Sequence, residues 1–173
     1  MTAGRRKWLA MGVGAGAALT GAGLAWRQWN TAAPDGTDEL WTMRFDRPDG
    51  GQLVMTDFRG KPLLINFWAT WCVPCIRELP ALQRFQRDYE TRGWQVLALA
   101  VDAPVPVLEF IARFKLELTV GMAGTGGMEL LRLLGNVQGG LPFSVAIDAG
   151  GRVRHRRLGE SKYEELASWA SSV

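Results

Sequence analysis

Two sulfur atoms dominate any chemical reading of this chain. Cys72 and Cys75, within Trp71-Cys72-Val73-Pro74-Cys75, are the only cysteines in 173 residues. They stand three positions apart, where an apolar run ends and a helical pattern begins. A cysteine at a helix N-terminus meets unpaired backbone N–H groups and the positive end of the helix dipole, and both favour its thiolate. A second cysteine one turn on can attack a mixed disulfide formed at the first. The spacing therefore predicts a redox pair, with Cys72 the nucleophile and Cys75 the resolving thiol.

Blander uses of the pair fit less well. A structural bridge closing so short a loop would contribute roughly 2 kcal/mol, against ~5 for a long loop. A zinc site would need further ligands, and His155 is the single histidine. No metal and no cofactor are expected. Trp71 is read as a shield for the disulfide and a guide for partners, and Trp68 as core.

The elements that must position the pair can be read from periodicity. Trp41 to Phe58 alternates around Pro48-Asp49-Gly50-Gly51, a hairpin pattern. Pro62 to Trp68 is a continuous apolar run, as in a strand buried on both faces. Cys75, Ile76, Leu79, Leu82, Phe85 and Tyr89 recur at helical spacing, and Gly93 closes that helix. Trp94–Val101 reads as a strand, Val105–Lys115 as a helix, Glu117–Met122 as a strand and Gly127–Leu134 as a short helix. Phe143–Asp148 and Val153–Leu158 form a second hairpin about Ala149-Gly150-Gly151. Ser161, with Glu164 three residues on, reads as a capping box opening a last helix. The predicted class is α/β, with parallel strands first and antiparallel strands after.

Charge separates the chain into a leader and a body. Residues 1–34 carry Arg5, Arg6, Lys7 and Arg27 and no acid. Of 20 Lys and Arg these four leave 16, set against 17 Asp and Glu, so the body is close to neutral. That balance gives no support to nucleic-acid binding. Nineteen uncharged residues, Trp8 to Trp26, follow Arg5-Arg6-Lys7, the pattern of a signal peptide or anchor. Five glycines make the stretch a mild one, and the paired arginines are similar to a twin-arginine export signal. The expected organisation is a signal or membrane anchor over 1–29, a linker over 30–39 and one folded domain over 40–173. Left uncleaved, residues 8–26 would tether the body to the membrane.

Asn66-Phe67-Trp68-Ala69-Thr70-Trp71-Cys72-Val73-Pro74-Cys75, followed by Arg77-Glu78-Leu79-Pro80, resembles the TlpA-like family of thioredoxin-fold proteins. The resemblance covers about residues 40–170. It implies a thioredoxin-like fold with an N-terminal β-hairpin and a central insert near 103–134. It further implies a thiol–disulfide oxidoreductase, mostly a reductase, on the periplasmic side of a bacterial inner membrane. Protein disulfides and dithiols would be its substrates and an inner-membrane protein its electron donor, in cell redox homeostasis and cytochrome c maturation. Gly140-Leu141-Pro142-Phe143 matches the loop bearing the fold's cis-proline, which makes Leu141 and Pro142 substrate-binding candidates. Glu78 matches an acid set near the cysteines, where a partly buried carboxyl would have a raised pKa and could exchange the thiol proton. Ordinary thioredoxins place an aspartate six residues before the first cysteine. Asn66 stands there in this chain, leaving Glu78 the nearby acid.

Two other functions share features with this one. A thiol peroxidase on the same fold wants Thr-x-x-Cys, but Thr70 lies only two residues before Cys72. A copper carrier wants Cys-x-x-x-Cys and a placed histidine, and neither is present. Arg152, Arg154, Arg156 and Arg157, with His155, read as a solvated edge strand guarded against aggregation.

Overall fold

The computed structural model describes residues 37–124 and 126–173. The expected signal or anchor segment, and all of the linker before Thr37, lie outside the described residues. Among the described residues no helix is long and apolar enough to cross a membrane.

A five-stranded sheet organises the body. Its strands are β3 (Leu63–Trp68), β4 (Gln95–Ala100), β5 (Thr119–Met122), β6 (Phe143–Ile147) and β7 (Val153–Leu158), in the order β5-β4-β3-β6-β7. β3, β4 and β5 run parallel, whereas β6 and β7 pair antiparallel, as the periodicity predicts. All six residues of β3 are buried, because the sheet is covered on both faces.

Side chains alternate across that sheet and divide the core in two. Leu64 and Trp68 point to one face with Val96, Ala98, Ala100 and Ala146. That face is covered by α2 (Val73–Tyr89), α3 (Pro104–Phe114) and α5 (Tyr163–Ser172). Trp68 is fully buried there, its ring 5.2 Å from that of Phe110. Leu63, Ile65 and Phe67 point to the other face, with Leu97, Leu99, Phe143, Val145 and Ile147. Covering it are α1 (Thr37–Leu40), α4 (Gly127–Leu133) and a hairpin of β1 (Arg44–Asp46) and β2 (Gln52–Val54). The hairpin turns through Gly50 and Gly51, both at positive φ, and packs against β5 where a Cβ on Gly121 would meet Leu53 at 2.8 Å.

Three local readings are corrected. The hairpin within Trp41–Phe58 forms, but over a shorter span than the alternation: pairing is confined to 44–46 and 52–54, and Met55–Phe58 is a 3₁₀ turn that buries Met55 and Phe58. Thr37–Leu40, at the end of the expected linker, is a helical turn held by fully buried Leu40. The capping box at Ser161 does not form; α5 starts at Tyr163 without a side-chain cap, because the Ser161 N–H donates to Glu78 instead. The Arg-rich strand β7 is an outer edge, and its arginines bond to Asp148, Glu165 and the Leu134 carbonyl. His155 is less solvated than expected, stacked 5.2 Å from Trp169.

Candidate active site

The C-terminal end of β3 delivers the cysteines to the start of α2. Cys72 is the N-cap in extended conformation (φ −93, ψ 99), and its Sγ accepts the Cys75 N–H at 3.4 Å. Pro74 costs no hydrogen bond, since first-turn N–H groups have no helical partner. Cys72 and Cys75 are joined as a disulfide. Cys75 is fully buried, whereas Cys72 keeps a small exposed surface (6%). Of the two cysteines, only Cys72 therefore offers a partner any surface. Around it the surface is apolar: Trp71 is 66% and Val73 62% exposed.

The loop entering the helix is tied down by a residue that sequence reasoning missed. Asp102, just past β4, accepts the Thr70 N–H at 2.9 Å and the Thr70 hydroxyl at 2.6 Å on Oδ2. Its Oδ1 accepts the Ala103 N–H at 2.7 Å. The Thr70 hydroxyl is thereby committed to Asp102. The available signal was an acid placed directly after a buried strand and before Pro104, which suits the entry to a helix.

Glu78 lies one turn beyond Cys75, in the apolar stripe with Leu79 and Leu82, and is almost completely buried (1%). Its Oε1 accepts from Asn66 Nδ2 at 2.6 Å and its Oε2 from the Ser161 N–H at 2.7 Å. Asn66 Nδ2 also donates to Ser144 Oγ at 3.0 Å, and the Ser161 hydroxyl reaches the same oxygen at 3.4 Å. Asn66 and Ser144 are direct register partners on β3 and β6, on the face that α2 covers. Burial pushes the Glu78 carboxyl up from 4.5 to about 7, outweighing the two N–H donors that favour its charged form. Glu160, itself held by Arg77 at 2.7 Å, adds a smaller upward push.

Leu141–Pro142 is a cis peptide. Phe67 pairs with Phe143, so continuing that register sets Leu141 and Pro142 beside the end of β3 that leads to Cys72. Pro142 is buried and its carbonyl accepts the Gly159 N–H at 2.8 Å. Leu141 is half-buried, and among the described residues its N–H and C=O form no backbone hydrogen bond. An extended chain laid there would find one free donor and one free acceptor. Among the described residues, no group of three or more His, Cys, Asp or Glu is gathered in one place.

The expected residues thus fall into two groups. Trp71, Cys72, Cys75 and Glu78 follow one another along one loop and helix, and Leu141 and Pro142 flank them from the loop that enters β6. What the arrangement can do is exchange disulfides at an accessible sulfur beside a titratable buried acid.

Comparison with known proteins agrees. The Redoxin family model matches residues 28–171. The thiol-disulfide oxidoreductase ResA of Bacillus thuringiensis subsp. konkukian is 30% identical over 126 residues, covering 72% of this chain and 70% of the relative. Among solved structures, a thioredoxin-family thiol:disulfide interchange protein of Chlorobium tepidum is 27% identical, with TM-score 0.65, covering 75% of this chain and 91% of the other. A secreted Mycobacterium tuberculosis disulfide oxidoreductase shares the fold at TM-score 0.66 and 18% identity, over 79% of this chain and 99% of that one.

Proposed function

The chain belongs to the Redoxin family and is a thiol–disulfide oxidoreductase, and we propose that it runs as a reductase of protein disulfides, with Cys72 attacking and Cys75 resolving. The observation that carries this reading is the contrast at the helix start: Cys72 is reachable and Cys75 is sealed.

In the reduced protein the Cys72 thiolate attacks one sulfur of a substrate disulfide. A Cys72–substrate bond forms, and the other substrate sulfur leaves as a thiolate. Cys75, its proton taken by Glu78, then attacks Cys72 Sγ. That releases the second substrate thiol and leaves the Cys72–Cys75 disulfide, so two electrons have passed to the substrate. Glu78 suits the proton transfer because a carboxyl titrating near neutrality can both accept and return a proton at working pH. Trp71 and Leu141–Pro142 hold the substrate strand, Trp71 through its exposed ring and Leu141 through its free backbone groups. A membrane electron donor resets the disulfide by the reverse exchange.

The basic leader and the uncharged stretch 8–26 support a location on the periplasmic side, tethered or exported, with 40–173 as the working domain. A redox titration of residues 37–173 against glutathione or dithiothreitol buffers tests the direction. A potential well below that of the glutathione pool fits a reductase, and one near that of strong dithiol oxidants overturns it.

A further inference from the structure

We propose that Asn66 is a positioning residue that serves Glu78 in both of its protonation states, its buried side-chain amide turning over as the carboxyl gains or loses a proton. The inference rests on the proton-transfer role given to Glu78 above.

The ionised carboxyl is well matched as it stands. Both its oxygens accept from N–H groups, one from Asn66 and one from the Ser161 backbone. Once protonated, however, Glu78 must donate; neither of those N–H groups can accept, and on the Oε1 side, away from the Ser161 hydroxyl, Asn66 is the neighbour within reach. The Asn66 side chain holds the remedy. Its Oδ1 is fully buried and, among the described residues, has no hydrogen-bond partner, which is a costly state for an amide oxygen. An amide turned over by half a rotation keeps its shape and exchanges donor for acceptor, moving Nδ2 into the unpartnered place that Oδ1 now holds. Oδ1 would then accept the Glu78 O–H from the place where Nδ2 now donates.

The rest of the cluster can follow the reversal. Ser144 Oγ now accepts from Asn66 and from the Ser161 hydroxyl, and a hydroxyl can donate as readily as accept. The backbone N–H of Ser161 stays on Oε2 in either state. The charge acting on Glu78 is that of Glu160 after β7, partly matched by Arg77 on α2. Cys72 and Cys75 carry no titrating proton while bonded to each other. In the oxidised protein the cluster is therefore one acid and its neutral amide. An aspartate at position 66 would put a second carboxylate at hydrogen-bond distance and make the two share a proton.

The test is a carbon-detected NMR titration of the Glu78 carboxyl in the oxidised protein, which needs no activity. In the native chain one step near neutrality is expected, and the Asn66 side-chain N–H resonances should move with the same midpoint. In Asn66→Leu, loss of a hydrogen bond to the charged form should raise that midpoint by about one to two pH units. Asn66→Asp, nearly the same size, keeps the test open if the leucine variant does not fold. It should split the step in two, one below and one above the native midpoint. An unmoved Glu78 step in these variants, or Asn66 amide resonances indifferent to pH, overturns the role of Asn66 while leaving that of Glu78 intact. A native Glu78 titrating in the ordinary carboxylate range overturns both.

Discussion

The two faces of the central sheet are built to different rules. Beneath the hairpin, α1 and α4, the strand positions Leu63, Ile65, Phe67, Phe143, Val145 and Ile147 are uniformly apolar. Beneath α2, α3 and α5, the same two strands place Asn66 and Ser144 side by side, with Glu78 above them, all buried. Burying such groups costs stability unless they are bonded to one another, and here one amide oxygen is left unbonded. One face is therefore packing alone, and the other adds to its own apolar packing a set of buried polar groups that the proposed chemistry at Cys72 and Cys75 would use.

Substitutions can break that division of labour or sharpen it. The largest effect is expected at the site: Cys72→Ser should abolish reduction of insulin-type disulfides, since Cys75 is fully buried and the chain has no further cysteine. Retained turnover would mean that the chemistry lies elsewhere. On the apolar face, Ile65→Ala should cost about 2–5 kcal/mol of unfolding free energy by denaturant titration. Exchange activity per folded molecule should be unchanged, and a selective loss of activity would erase the contrast between the faces.

Glu78→Gln should slow exchange near neutral pH by about a hundredfold, the low end for general acid–base catalysis. It should also change how stability depends on pH. A carboxyl whose pKa is raised on folding, from 4.5 to about 7, binds its proton more tightly in the folded state. Its stabilising contribution is complete below about pH 4.5 and is lost as pH rises through 7, a swing of about 3 kcal/mol. The glutamine variant should lack that slope in unfolding experiments between pH 4.5 and 8. An identical slope in both proteins would return Glu78 to a passive role. Smaller still, Trp71→Ala should raise KM several-fold for protein disulfides and leave small disulfides nearly unaffected, because the exposed ring contacts only an extended partner.

Much of this arrangement was legible in the residues, and the rest for a reason. The Cys-x-x-Cys spacing after an apolar run identified the pair and its helix, and β3 to β7 followed from periodicity to within a residue or two. Leu141 and Pro142 were readable through the family resemblance alone, because a proline opening a strand is otherwise unremarkable. Glu78 stood in the stripe of Cys75, Leu79 and Leu82, a helix-spacing hint of burial. Its bonding partners were not legible: Asn66 and Ser161 are 12 and 83 positions from it, Ser144 is a further 78 from Asn66, and only tertiary packing joins them. Each still left a trace, since Asn66 and Ser144 are lone polar residues within apolar strands. Ser161 misled because its cap pattern was sound locally, and the buried carboxylate outcompeted the helix for its N–H. Asp102 left only a local trace, an acid just ahead of Pro104, and its partner Thr70, 32 residues away, was not legible.

The division of roles between the sulfurs is tested most directly by Cys75→Ser. Reduced and mixed with an unfolded disulfide-bonded protein, that variant should accumulate a mixed disulfide located at Cys72 by peptide mass spectrometry. It should persist because the resolving thiol is gone. Efficient release of substrate thiols with no trapped adduct would contradict the account, since Cys72 would then not need Cys75 to complete the exchange.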